Sequence, residues 1–175
     1  FAGISRDGDF GFTTGAVSFD EAHTARGHYF TVWRRQPDGS WKWIYDGGVG
    51  PITNAAALTA PGGEVAMLPV ADRGEASAEA AVAAVRALGA AGDIRLAPDV
   101  RRVQSREALV VGAPAGPSQD ESVDPMRVEA STGGDLVMVL GTRRCAGRVP
   151  VRAYARMWQR RDDGWVVVYE QRISP

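Results

Sequence analysis

The sequence predicts an α+β protein: a curved antiparallel sheet with helices N-terminal to it, and a partial second copy of that sheet at the N-terminus of the chain. Three observations carry the prediction. A strand–turn–strand pattern rich in aromatic and β-branched residues occurs near both ends of the chain. One alanine-rich stretch with helical periodicity lies between the two occurrences. Glycine and proline punctuate the segment that separates the first occurrence from that helix.

The repeat is legible residue by residue. Gly8-Asp9-Phe10-Gly11-Phe12-Thr13-Thr14-Gly15 aligns with Gly134-Asp135-Leu136-Val137-Met138-Val139-Leu140-Gly141, and a serine stands three residues before each leading glycine, at Ser5 and Ser131. Tyr29 to Arg35 aligns with Tyr154 to Arg160, keeping Trp33 opposite Trp158. Asp38-Gly39-Ser40-Trp41 aligns with Asp163-Gly164-Trp165. Asp9 precedes Trp33 by 24 residues and Asp135 precedes Trp158 by 23, so order and spacing are shared.

The elements follow in order. Residues 1–5 read as a strand stub, and 9–18, 27–36 and 41–46 as strands. Asp38-Gly39 turns the second into the third, because glycine accepts positive φ without steric cost. Residues 49–74 form a connector, with 64–68 as a short strand. Ser77 caps a helix running from Ala78 through Leu88, whose Val82, Val85 and Leu88 make one apolar stripe, and Gly89 and Gly92 end it. Asp93–Ala97 reads as a short second helix stopped by Pro98, followed by a hairpin of 100–103 and 108–111 turning at Ser105-Arg106. After a proline-rich loop, 126–131, 135–142, 151–160 and 165–172 read as strands, with Asp163-Gly164 at the last turn. The domains expected are 1–48, a partial sheet without helices; 49–74, the connector; and 75–175, a complete helix-and-sheet unit.

Composition excludes several classes. A net charge of −1 leaves no electrostatic footprint for nucleic acid. No apolar run approaches the roughly 20 residues of a bilayer-spanning helix, so no membrane insertion is expected. The lone cysteine, Cys145, admits neither an intrachain disulfide nor a cysteine metal cluster, and the two histidines, His23 and His28, both lie near the N-terminus. No metal and no cofactor is expected, and neither a dinucleotide fingerprint nor a nucleophile elbow is present. Arginine supplies all but one of the cationic side chains, a bias of GC-rich bacterial coding. The chain begins at Phe1, so an upstream segment, whether a leader or the missing helices of the first unit, is expected to be absent and the compartment is open.

The motif Gly8 to Gly15, followed by Trp33-Arg-Arg-Gln-Pro-Asp-Gly-Ser-Trp-Lys42, resembles the sheet segment of bacterial SnoaL-like proteins, and the element order of the second half resembles the nuclear transport factor 2-like fold. The first copy is the closer match; the second has Leu136 to Val139 in place of the Phe-Gly-Phe-Thr stretch and a shorter turn. The resemblance implies a cone whose concave sheet face and helices enclose a pocket, and sheets that meet through their convex faces. Its members include isomerases, dehydratases, cyclases, epoxide hydrolases and non-enzymatic carriers, so it implies no single reaction.

Two functional readings follow. The first is a small-molecule-binding or scaffold protein without catalysis, whose partners are a small hydrophobic ligand and a second copy of the chain through sheet faces. The second is an isomerase-, dehydratase- or cyclase-like enzyme using Asp99, placed between Pro98 and a strand, as an acid/base with Tyr154 as hydrogen-bond donor. The expected pocket residues are Met138, Leu140, Arg156 and Trp158, with the uniformly apolar Leu136/Met138/Leu140 face as the core side. Asp9 and Asp135 read as turn residues bonding their own backbone. The apolar side chains of the orphan sheet, among them Phe10, Phe12, Phe30 and Val32, require a cover, because each contributes roughly 1.5–3 kcal/mol when buried.

Overall fold

The computed structural model describes residues 1–18, 27–50, 64–104, 109–112, 121–145 and 152–173. Strands β1 (Ala2–Ile4), β2 (Phe10–Val17), β3 (Gly27–Arg35) and β4 (Trp41–Val49) come first, followed by helix α1 (Ala78–Ala91). Then come β5 (Leu96–Gln104), β6 (Val110–Val111), β7 (Glu121–Ala130), β8 (Leu136–Cys145), β9 (Arg152–Arg161) and β10 (Gly164–Ile173). They form a four-stranded sheet in the order β1-β2-β3-β4 and a six-stranded sheet in the order β6-β5-β10-β9-β8-β7. The fold is thus α+β, dominated by sheet, with one helix among the described residues.

Local chemistry sets the elements. Ser77 is extended, with φ −161°, and its hydroxyl accepts from the Ala80 N–H at 3.2 Å, which satisfies one of the open donors of the first turn. At the other end Gly92 enters the left-handed region, with φ 71°; its N–H reaches Gly89 O and that of Asp93 reaches Leu88 O, a glycine-closed terminus. Between them Ala81 and Val85 are buried and the helix packs on β7 and β8.

The sheet departs from expectation at its edge. The stretch Asp93–Ala97 is not helical; β5 begins at Leu96 and pairs in parallel with β10, so the six-stranded sheet is mixed rather than antiparallel throughout. Between the pairs Leu96–Val167 and Arg101–Tyr169, the residues from Ala97 to Val100 stand opposite Val168 alone. Pro98 lies in that bulge, where its missing N–H breaks no ladder bond. Ala97, Val100 and Val103 are buried, which draws the strand onto the sheet. The pairing of β5 with the short β6 bears out a hairpin there, while its turn at 105–106 lies outside the described residues. So do the proline-rich segment 113–120, residues 51–63 of the connector 49–74, and the side chain of Cys145. Within the connector, Leu68 is buried and its N–H bonds to Ala2 O.

The two sheets share one hydrophobic core. Phe10, Phe12, Phe30 and Val32 of the first sheet are at most 1% exposed. Tyr169 of β10 stacks on Phe30 at 4.6 Å between ring centroids, and its hydroxyl is 3.1 Å from Thr14 Oγ1. Gln171 donates to His28 O. The cover that the orphan sheet requires is therefore the neighbouring sheet of the same chain.

The corners of the two sheets carry matching bonds. In the first turn the Phe10 N–H donates to Ser5 Oγ, Ser5 N–H to Phe10 O and Gly8 N–H to Ser5 O; in the second the Leu136 N–H donates to Ser131 Oγ, Ser131 N–H to Leu136 O and Gly134 N–H to Ser131 O. Gly8 and Gly134 have φ of 65° and 63°, a conformation that L side chains adopt at a cost. The aspartates then cross over. Asp9 Oδ2 accepts from the Thr132 N–H at 2.9 Å, and Asp135 Oδ2 accepts from the Arg6 N–H at 2.8 Å. Each turn is bonded to the residue after the other turn's serine.

Candidate functional site

Strand alternation and register place every candidate. Val139 pairs with Arg156 and Val137 with Trp158, while Met138 pairs with Met157 and Leu140 with Ala155. Tyr154, Arg156 and Trp158 therefore share a face with Val137 and Val139, and that face lies under α1. Its rim of Val85, Arg86 and Gly89 meets the sheet at Val139, Tyr154, Arg156 and Trp158 around a cleft closed at the sheet edge by Val123, Pro125 and Val128. Its free volume is about 10 Å³, close to that of a single water.

The Leu136/Met138/Leu140 face is on the other side, with Met157 and Tyr169, toward the four-stranded sheet. It is core, as its composition implies, and it faces away from the helix-covered cleft. Of the four expected pocket residues, Arg156 and Trp158 line the cleft and Met138 and Leu140 do not. Uniform apolarity marks a face that packs against another sheet; the face that meets a helix and a cleft here carries arginine, tyrosine and tryptophan.

The floor of this face is an ion cluster. Arg156 and Glu170 are 2% and 1% exposed, and their N–O separation is 2.8 Å. Arg102 and Arg172 reach the other carboxylate oxygen at 3.1 and 2.7 Å, giving three guanidiniums around one carboxylate. Burial by itself would raise the Glu170 pKa, but Arg156 and Arg172 outweigh it and hold the group at about 2. Arg156 also lies over the Tyr154 ring, 4.6 Å from its centroid. Trp158 is 2% exposed and its indole Nε1–H has no acceptor among the described residues, an unusual condition for a buried donor.

Asp99 stands elsewhere. It is half exposed, bonded to Arg161 at 3.0 Å, and lines an open surface cleft of about 270 Å³ with Pro69, Asp72, Arg73 and Arg160. Tyr154 lines the helix-covered cleft instead, so the two do not meet in one cavity. Asp9 and Asp135 are turn residues with the additional crossed bonds described above. Burial pushes the Asp9 carboxyl up, and the hydroxyl and N–H of Thr132 with the Ser5 hydroxyl bring it below its ordinary value. His28, buried between the sheets, is held below the ordinary imidazole value by burial and then by the Phe1 ammonium.

Three participants escape a sequence reading. Arg86 and Gly89 read as a helix surface residue and a helix terminator, and neither signals a cleft. Glu170 is one of two strand carboxylates whose facing is undetermined by sequence; its neighbours Tyr169 and Gln171 face the other sheet, which fixes Glu170 toward the helix side. Among the described residues no cluster of histidine, cysteine or carboxylates is arranged to hold a metal, and no helix is long and apolar enough to cross a membrane.

Comparisons with known proteins complete the description. No family model matches the chain, and no curated protein matches it. Among solved structures, an NTF-2 like protein of unknown function from Shewanella oneidensis MR-1 aligns at 10% identity with a TM-score of 0.38, over 55% of this chain and 95% of that one. An NTF2-like protein of unknown function from Pseudomonas putida KT2440 aligns at 15% identity with a TM-score of 0.39, over 57% and 89%. The chain is thus similar, over little more than half its length, to NTF2-like proteins.

Proposed function

We propose that the protein is a small-molecule-binding protein of the SnoaL-like type, with its ligand site in the cleft between α1 and the six-stranded sheet. In this reading residues 1–48 and 75–175 are two copies of one β-unit joined by the connector 49–74, and α1 lies over the sheet of the second. The matched bonds of the Ser5–Phe10 and Ser131–Leu136 turns support the common descent. The observation that carries the ligand reading is the Trp158 indole N–H, buried at the cleft without an acceptor among the described residues. Such a donor is costly to leave unmade and is satisfied by whatever enters.

Gly89 offers the test. A Cβ added there meets only Val123 Cγ2, at 3.9 Å, so Gly89→Leu projects into the cleft while improving helix propensity by roughly 1 kcal/mol. Small apolar ketones, lactones, amides and acids are screened by saturation-transfer NMR, and hits are followed through the Trp158 indole cross-peak. The expected result is binding to the wild type that Gly89→Leu abolishes without loss of stability. Binding untouched by this variant, or no compound that moves the cross-peak, would sink the reading.

A second copy of the chain is the other partner we propose, through the outward face of the four-stranded sheet. Trp41 and Trp43 are 40% and 65% exposed on that face, and tryptophans left in water favour an interface.

A further inference from the structure

We infer that the cleft under α1 takes a small carboxylate with a short apolar body, its head received by Trp158 and Arg86. The inference rests on the site proposed above and concerns the class of ligand. The polar side chains lining the cleft are Arg86, Tyr154, Arg156 and Trp158. Guanidinium and indole N–H groups only donate, and among the described residues no carboxylate or amide side chain lines the cleft. A ligand must therefore bring acceptors; a cation or a donor-rich sugar would meet no matching group except the Tyr154 phenol.

Charge points the same way. Arg156, Arg102 and Arg172 surround the carboxylate of Glu170, so guanidinium groups gather beneath the cleft. Arg86, exposed on α1 at the rim, has no ion pair among the described residues. Arg86 and Trp158 line the same cleft, and a guanidinium and an indole N–H are both donors suited to an anionic head. Size narrows the class. The free volume of the whole cleft is about 10 Å³, room for one oxygen of the head, which leaves the body of the ligand at the open rim. The remaining walls, Val85, Val123, Val128 and Val139, are apolar and suit a short hydrocarbon body.

The experiment titrates butyrate, and separately its neutral isostere butyramide, into the ¹⁵N-labelled full chain. The Trp158 indole cross-peak is assigned by Trp158→Phe, whose other indole signals report that the fold is kept. Butyrate is expected to shift that cross-peak saturably, the amide to bind at least about tenfold more weakly, and Arg86→Gln to weaken butyrate about fivefold, as loss of one charge-assisted contact implies. Equal affinity for the amide, or full butyrate affinity in Arg86→Gln, overturns the carboxylate assignment while leaving the cleft as a binding site. Failure of butyrate to move the Trp158 signal overturns it too. If the neutral compounds of the wider screen also fail, the binding function falls with it.

Discussion

Asp135 is the residue whose removal tests the crossed corner most directly. It is 0% exposed. Its Oδ1 accepts from the Ser131 hydroxyl at 2.7 Å and its Oδ2 from the Arg6 N–H at 2.8 Å. Asp135→Ala removes both acceptors and leaves the Ser131 hydroxyl proton and the Arg6 N–H without partners. A hydrogen bond to a charged group is worth about 1.5–3 kcal/mol, so two of them, with partial rehydration of Arg6, come to about 3 kcal/mol. For a chain of this size each kcal/mol lowers the melting temperature by roughly 2–4 °C, giving a drop of roughly 6–12 °C. Asp9 occupies the same place in the same motif, but its cross-partner Thr132 is exposed, and water can replace the lost bonds; Asp9→Ala should cost only about 1 kcal/mol. Calorimetry and urea unfolding of both variants measure the difference. A loss below about 1 kcal/mol for Asp135→Ala, or equal losses for the two variants, would refute the claim that the second aspartate locks the buried side of the corner.

Three further outcomes are expected. Glu170→Gln leaves the buried Arg156 without its counter-ion and should destabilise by about 3–5 kcal/mol. Because the Glu170 carboxyl titrates near 2 when folded against an ordinary 4.5, its stabilisation is present above about pH 4.5. It is lost as pH falls toward 2, a loss of about 3 kcal/mol, so urea midpoints between those pH values should fall more steeply in the wild type than in Glu170→Gln. Gly92→Ala puts a Cβ where nothing lies within 4 Å but φ is 71°, so its cost of about 1 kcal/mol, read by chemical denaturation, reports backbone strain alone. Trp43→Ser should leave stability within about 0.5 kcal/mol and shift micromolar sedimentation from dimer to monomer; a monomeric wild type would remove self-association through that face.

Much of the architecture is legible because short-range chemistry fixes it. The Asp38-Gly39 and Asp163-Gly164 turns, the Ser77 cap and the Gly92 terminus each depend on residues within a few positions, and strands at 10–17, 27–35, 136–145 and 152–161 stand close to where alternation and β-branching put them. The stretch 93–97 departs from the expected helix because a short apolar run before a proline is compatible with a helical turn or a strand, and the open edge of β10 decides for the strand. Of the cleft lining, Arg156 and Trp158 are legible as a same-face pair, whereas the apolarity of Met138 and Leu140 serves a sheet-to-sheet core.

The amino-acid order by itself determined the local elements, the twofold recurrence of the Ser-x-x-Gly-Asp corner and the division of each strand into two faces, because all three depend on periodicity and on turn stereochemistry. Only the tertiary structure decided which face meets the helix, that Asp9 and Asp135 bond across to each other's turn, that β5 joins β10 in parallel, and that Glu170 gathers three arginines. A strand's alternation is symmetric between its sides, and bonds between residues more than a hundred positions apart exist only once packing has brought their elements together.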